Sequence, residues 1–274
     1  MKLALVLLIP IFLLTSCKNE YSKVLKSTDY EYKLKKADEY FAKNKFRYAE
    51  ELYMELFPVF KGTEKFEELY YKYAYCSYNQ KNYTDAENLF KGFLGVFPNS
   101  PKAEEVAFMQ AFSFYKQSPI VELDQTNTVK AIGMMQSFII TYPNSERTKE
   151  ALEIIASGRK KLENKEFSAA ELYFNLGQYR AAGISFSSLI NAYPESVKGD
   201  YYLLMAIKSY YEYAKLSILD KQKERYEKVI SEYFEFIDRY PDSKLLEEVE
   251  NYNNLSQNNI KIIQNEQVKT PANR

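Results

Sequence analysis

Four short runs govern what this chain can fold into: Phe97-Pro98-Asn99-Ser100, Tyr142-Pro143-Asn144-Ser145, Tyr193-Pro194-Glu195-Ser196 and Tyr240-Pro241-Asp242-Ser243. An aromatic residue, then Pro, then an Asx or Glu and a Ser, is stop-and-restart punctuation. Proline cannot continue a helix and pushes the residue before it out of the helical region. The Ser, or the residue before it, can cap the next helix. Twelve residues before each Pro stand Ala86, Ala131, Ala182 and Val229. Three residues before these stand Tyr83, Thr128, Tyr179 and Tyr226; four after them stand Phe90, Met135, Phe186 and Tyr233; three further on come Phe93, Phe138, Leu189 and Phe236. Steps of three, four and three residues trace one face of an α-helix. An N-terminal unit keeps the columns with Phe46, Ala49, Tyr53 and Leu56 but has Lys61 where the others have Pro.

Each of these helices has a predecessor. Ala37, Ala74 and Ala170 lie twelve residues before Ala49, Ala86 and Ala182, and Tyr40, Ser77 and Tyr173 follow them by three. One small residue per helix lets two helices of a hairpin approach closely while aromatics fill the space around them. This pattern resembles the tetratricopeptide repeat (TPR). The resemblance implies an all-α chain, a right-handed α-solenoid of about five helical hairpins with an extended concave face. The spacing between successive small residues is 37, 45, 51 and 47, longer than the roughly 34 of the standard repeat. Three insertions account for the excess: Lys116–Thr128 in repeat three, the Pro-free stretch from Ser145 to Glu166, and Tyr211–Arg225 in repeat five. The second reads as an unusually long helix, weakest at Gly158 and bent near Asn164.

The N-terminus carries a different signal. Lys2 precedes an apolar run, Leu3 to Leu14, broken only by Pro10. The run is short for a bilayer span, which takes about 20 residues, and fits a secretion signal. It ends Leu14-Thr15-Ser16-Cys17, which resembles the lipobox of bacterial lipoproteins. That resemblance implies a diacylglyceryl group on the Cys17 sulfur, cleavage before Cys17 and N-acylation of the new terminus. Expected boundaries are a signal peptide at 1–16, a lipidated tether at 17–27, a repeat solenoid at 28–263 and a flexible tail at 264–274. The repeats fall near 30–62, 64–99, 100–144, 145–195 and 196–242, with a closing helix at 243–263. Once Cys17 is acylated, Cys76 has no partner for an internal disulfide, and its apolar setting makes it a buried, inert thiol.

Composition removes several function classes. The chain has 37 basic and 37 acidic residues, so no basic excess exists to hold a nucleic-acid backbone. It has no histidine, which excludes Ser-His and Cys-His nucleophile pairs and the commonest metal ligand. No two acids are fixed in a cleft-forming loop; the insertion in repeat three offers only Glu122 and Asp124. No enzymatic activity, cofactor or metal is expected. Sugar-binding surface proteins often use Trp for stacking, and this chain has none.

A lipobox followed by such repeats resembles the BamD family of outer-membrane assembly lipoproteins, over about residues 28–262. Supporting details are Leu123-Asp124-Gln125-Thr126 in the insertion of repeat three, the long Pro-free stretch after Ser145, and Ala169-Ala170-Glu171-Leu172-Tyr173-Phe174 leading through Gly177-Gln178-Tyr179 to Ala181-Ala182. The resemblance implies a non-enzymatic scaffold anchored in the outer membrane and facing the periplasm. It implies docking through later repeats on the polypeptide-transport (POTRA) domains of a BamA-like barrel protein, and receipt of unfolded outer-membrane precursors by the early repeats. No nucleic acid partner is implied. Lys18, not an acidic residue, follows Cys17, in keeping with outer-membrane sorting.

Candidate partner-binding residues are Gln178 and Arg180 in the repeat-four turn and Arg225 and Arg239 in repeat five; ordinary solvated polar residues are the competing reading. Two tyrosine sets, Tyr70, Tyr71, Tyr73, Tyr75, Tyr78 and Tyr201, Tyr202, Tyr210, Tyr211, Tyr213, can either line a groove for an extended chain or pack hairpin on hairpin. Two other lipoprotein types stay open: an envelope adaptor and a nutrient-binding surface protein. Cys17→Ala is expected to abolish incorporation of radiolabelled palmitate and to deplete the protein from the membrane fraction.

Overall fold

A computed structural model describes residues 20–269. Cys17 and the signal segment lie outside the described residues. Among these residues every regular element is an α-helix. After a short α1 (20–26) come α2 (Tyr30–Ala42), α3 (Phe46–Phe60), α4 (Phe66–Asn79), α5 (Tyr83–Val96), α6 (Ala103–Lys116), α7 (Thr126–Thr141), α8 (Thr148–Asn175), α9 (Tyr179–Ala192), α10 (Gly199–Lys215), α11 (Leu219–Arg239) and α12 (Leu246–Lys269). The chain divides into two compact units, Met1–Arg159 and Lys160–Arg274. In the first, each helix from α2 to α7 packs on the next in sequence; in the second, α9 to α12 do the same, and α12 also touches α10. This is the stacked-hairpin arrangement of a TPR α-solenoid.

The small-residue columns explain why. Ala37, Ala49, Ala74, Ala86, Ala111, Ala170, Ala182, Ala206 and Val229 have no exposed surface, and Ala131 almost none. Rings from the first helix of a hairpin meet rings of the second around them. Tyr75 lies 5.3 Å from Phe90, Phe108 lies 5.5 Å from Phe138, and Phe167 lies 6.1 Å from Phe186, each edge to face. Such pairs add about 0.5–1.5 kcal/mol to the burial of the rings themselves. Tyr173 departs from its column and is exposed, where Tyr40 and Ser77 are buried.

Two kinds of turn alternate. Within three hairpins the first helix ends on a residue of positive φ: Asn44 at 55°, Lys81 at 65° and Gly177 at 72°. The next N–H then bonds back to a carbonyl of the last turn, as Lys45 does to Tyr40, Asn82 to Ser77 and Gln178 to Tyr173. This left-handed residue closes the helix end. The two hairpins with insertions lack it. Between α6 and α7, the buried Gln125 fills the loop, donating to the carbonyls of Ile120 at 2.7 Å and Leu123 at 3.0 Å. The excess of repeat five is taken up differently from a loop insertion: α10 runs to Lys215 and α11 starts at Leu219, so longer helices absorb it.

The turns between hairpins show what the Pro-x-Ser serines do. Helices α6 and α10 start beyond them, with Lys102 and Lys198 at the cap position and no side-chain cap bond. Each serine hydroxyl instead accepts the N–H two residues on, of Lys102, Arg147, Lys198 and Leu245. Each also donates to a carboxylate on the preceding first helix of a hairpin. Ser100 reaches Glu67 at 2.7 Å, Ser145 reaches Glu104 at 2.5 Å, Ser196 reaches Glu163, and Ser243 reaches Asp200 at 2.7 Å. The serines are clasps, not helix caps. Repeat one, with Lys61 in place of the terminal Pro and no Ser after it, makes the same backbone turn: Thr63 N–H bonds to Phe60 O as Ser100 N–H does to Phe97 O.

Outside the repeats, residues 20–26, expected within the tether, are helical, and residues 264–269, expected in the tail, continue α12. No described helix is long and apolar enough to cross a membrane.

The clasp at Glu163 has a pH signature. Burial pushes its carboxyl up, but the hydroxyls of Ser196 and Tyr202 and the Lys160 ammonium outweigh that and hold it below the usual carboxylate range. Its stabilising contribution is therefore present above the unfolded value of about 4.3 and is lost as pH falls through the lower folded value. Glu163→Gln is expected to cost about 1–3 kcal/mol at neutral pH. In urea unfolding curves the variant and the parent chain should converge as the solution is acidified below the carboxylate range.

Candidate functional site

The second unit carries a groove of about 580 Å³ between its helices. On α9, Arg180 and Ile184 are one turn apart; on α10, Tyr210 and Tyr213 share a face; on α11, Lys221, Glu224, Arg225 and Lys228 form one stripe. The spacing of three and four residues puts each set on a single helix face. Gly183 makes the close approach possible. A Cβ there would come within 2.6 Å of the Tyr210 ring, so only glycine lets that ring pack this closely on α9.

The groove's polar groups are arranged by charge. The Arg225 guanidinium stacks 4.0 Å from the Tyr213 ring centre and donates to the Ser217 hydroxyl. Lys228 sits 5.5 Å over the Tyr210 ring and pairs with the buried Glu232. Lys221 pairs with Glu224 at 3.1 Å. Arg180 is exposed and makes no ion pair among the described residues. Burial, opposed by the nearby Ser187 hydroxyl, holds the Tyr210 phenol above its ordinary pKa, so it stays a neutral O–H donor. Four cations against Glu224 and the buried Glu232 leave the rim basic.

An apolar edge adjoins this rim. Leu176, in the turn before Arg180, is 64 % exposed, and Leu216, Ile218 and Leu219, after Tyr213, are 71 %, 71 % and 62 % exposed. Since Arg180 and Tyr213 line one groove, these two turns lie at the same end of the stack. Apolar knobs beside arginine and tyrosine are the composition of a protein-docking hot spot.

Of the sequence candidates, the structure brings Arg180 and Arg225 together. Gln178 is exposed in the turn before α9, off the groove. Arg239 does not join them: it ends α11, about 21 Å along the helix from Arg225, and is paired with Glu235 at 2.9 Å. Among the tyrosines, Tyr210 and Tyr213 line the groove, while Tyr70 and Tyr202 are core. Sequence reasoning missed Ile184, Lys221, Lys228 and the exposed leucines. The available signal was Leu216-Ser217-Ile218-Leu219, an apolar run at a helix junction where polar residues are expected.

The first unit holds a second concavity, of about 710 Å³, between α2 and α4. Leu34, Ala42 and Leu69 give it an apolar lining, and Glu31, Asp38, Glu39, Glu64 and Glu68 an acidic one. Several of these acids are engaged: Asp38 by Tyr53 at 2.7 Å and Lys72 at 2.9 Å, Glu68 by Lys102 at 3.0 Å, and Glu31 by Lys65 at 2.5 Å. Cys76 is buried, and burial pushes its thiol well above the ordinary range, which leaves it protonated and inert. No group of three acidic or thiol side chains among the described residues could hold a metal ion.

The family model described as YfiO, outer membrane lipoprotein, matches residues 27–225. No curated protein matches the chain. Among solved structures, the TPR2AB domain of yeast Sti1 in complex with pHSP90 is similar at 11 % identity and a TM-score of 0.37, covering 83 % of this chain and 98 % of that one. A TPR repeats protein from Bacteroides fragilis is similar at 13 % identity and a TM-score of 0.37, covering 84 % and 99 %. The fold assignment rests on the hairpins themselves, not on these likenesses.

Gly183→Ala is expected to displace the Tyr210 ring and open the groove. A fall in Tyr210 protection in hydroxyl-radical footprinting, with unchanged helical circular dichroism, would report it.

Proposed function

The chain belongs to the YfiO, BamD-like family of outer membrane lipoproteins, and from that premise we propose that it is a non-enzymatic scaffold of the machine that assembles β-barrel proteins in the outer membrane. The observation that carries the reading is the family match across both compact units, 27–225, which includes Arg180 and reaches Arg225. In this reading Cys17 is acylated and holds the protein in the outer membrane, facing the periplasm. Three acyl chains exceed the two signals that stable anchoring takes.

The basic groove of the second unit then docks an acidic surface on a POTRA domain of a BamA-like barrel protein. Arg180 has no counter-ion among the described residues, so pairing with an external carboxylate breaks no ion pair seen there. Arg225 is already oriented by Tyr213 and Ser217, and preorganised contacts lose less entropy on binding. The leucines of the two turns supply apolar area beside the charged pair. The concavity between α2 and α4 in the first unit receives segments of unfolded precursors, whose apolar side chains meet Leu34 and Leu69 and whose cations meet Glu64 and its neighbours.

The test is an affinity pull-down of the detergent-extracted protein with quantification of partners by mass spectrometry. The parent chain is expected to recover a barrel protein bearing POTRA domains in near-equal amount. Arg180→Glu with Arg225→Glu is expected to reduce that recovery at least about tenfold, since breaking close interfacial charge pairs typically costs 2–5 kcal/mol. Recovery of a periplasmic hydrolase or a nutrient transporter in its place would sink the assembly reading and favour an envelope adaptor or a nutrient-binding protein.

A further inference from the structure

The link between α10 and α11 is short and apolar. Ser217 and Ile218 alone separate Leu216, which caps α10, from Leu219, which opens α11. Leu216, Ile218 and Leu219 are 71 %, 71 % and 62 % exposed, where a turn is expected to carry polar side chains. No residue of the link has a positive φ, so the left-handed closure of a helix end is missing. Side chains take its place. Gln222 donates to the carbonyls of Ser217 at 2.9 Å and Lys215 at 3.4 Å. The Ser217 hydroxyl donates to the Tyr213 carbonyl at 2.5 Å and accepts from Arg225. Two of the last carbonyls of α10, which lack a donor within the helix, thus receive one. The turn is held by bonds from side chains, and its three apolar groups face outward in a fixed array.

The charge around it is arranged with equal economy. From Glu212 to Lys228 the chain carries five cations and four carboxylates. Lys215 pairs with Glu212 at 3.4 Å, Lys221 with Glu224 at 3.1 Å, Lys223 with Glu227 at 3.9 Å, and Lys228 with Glu232. Arg225 makes no ion pair among the described residues. Charge about the apolar tip is therefore nearly balanced, with Asp220 beside Leu219. A segment that dips into an anionic bilayer carries an excess of Lys and Arg about its apolar side chains; this one does not. Its unbalanced charge lies to one side, at Arg225 and Arg180 on the walls of the groove. An apolar projection with two arginines on one flank complements an apolar recess in a folded protein, with carboxylates along one side of the rim.

We propose that the α10–α11 turn is a preformed knob that seats in such a recess on the docking partner, and that Gln222 and Ser217 are positioning residues that hold it ready. This rests on the reading that the groove docks an acidic protein surface, and it locates the apolar anchor of that contact. Because the turn is already ordered, seating it loses little further conformational entropy. Leu216 and Ile218 make the contact; Gln222 acts through the turn and not on the partner. Leu176, exposed in the α8–α9 turn at the same end, extends the apolar area.

The test measures the affinity of the full chain for the detergent-solubilised barrel protein bearing POTRA domains. Leu216→Ser with Ile218→Ser removes the knob; both side chains are exposed, so helical circular dichroism and the urea midpoint should match the parent. Affinity is expected to fall at least about tenfold, as on loss of a hot-spot anchor. Gln222→Met keeps the length of the side chain and removes its donor. It is expected to weaken binding several-fold in the parent background and to add nothing once the knob is gone, a non-additivity that marks action through the knob. A knobless chain that binds as tightly as the parent, while Arg180→Glu with Arg225→Glu does not bind, overturns the proposal and leaves the groove reading intact. No binding by the parent chain overturns both. Two other occupants have their own signatures. If the unlipidated Cys17→Ala chain sediments with phosphatidylglycerol vesicles only when the knob is present, the turn belongs to a lipid surface. If the chain self-associates in analytical ultracentrifugation until the knob is removed, the turn belongs to a second copy. Either result overturns the proposal.

Discussion

Each hairpin closes on a pair of side chains too small to hold its helices apart: Ala37 with Ala49, Ala74 with Ala86, Ala111 with Ala131, Ala170 with Ala182, Ala206 with Val229. All are buried. Everything else in the stack answers to that approach distance. With the backbones close, rings on either side meet edge to face instead of filling a wide core, and Phe90, Phe93, Phe186 and Phe236 lose all exposure. A leucine at any of these alanines would overpack the contact, at a cost of about 1–3 kcal/mol. The high aromatic content, 26 Tyr and 18 Phe, follows from the same geometry: large flat side chains fill the wedges that two close cylinders leave.

Turns then keep the hairpins in step. A serine hydroxyl, once in each of four inter-hairpin turns, bonds forward to a backbone N–H and back to a carboxylate one hairpin earlier. That carboxylate lies 33 to 43 residues before its serine, so the bond ties a local turn to a non-local helix. Places where the repeat breaks its own rule are where the surface becomes distinctive. The α10–α11 hairpin lacks the left-handed turn residue of its neighbours and carries exposed Leu216, Ile218 and Leu219 instead. Local departures from an otherwise consistent pattern tend to mark function, and here they adjoin the basic groove.

Much of the fold was legible and the site only in part. Column spacing located the helices because a solenoid contact is nearly one-dimensional: each hairpin meets its neighbours in sequence, so local periodicity carries the tertiary pattern. The long helix after Ser145 followed from the lack of Pro, and α8 is 28 residues long. The serines were legible as punctuation but not as clasps, since the acidic partner lies a whole repeat away. In the groove, Arg180 and Arg225 could be named because each sits near a turn. Their meeting could not, because it depends on α9 and α11 flanking α10. Arg239, chosen by the same reasoning, sits three turns or more away on the same helix and is paired with Glu235.

Sequence by itself determined the helical hairpins, their order, the buried small and aromatic columns and the inert state of Cys76. Those follow from periodicity, from proline's missing N–H and from the cost of burying or exposing a given side chain. Only the tertiary structure decided which cations share a groove, that Gly183 exists for the Tyr210 ring, and that residues 20–26 pack on the first hairpin instead of trailing as a tether. The reason is physical: a side chain's burial is written in its own chemistry and its helix phase, whereas its neighbours across a hairpin are set by how far each helix runs and how closely two backbones approach.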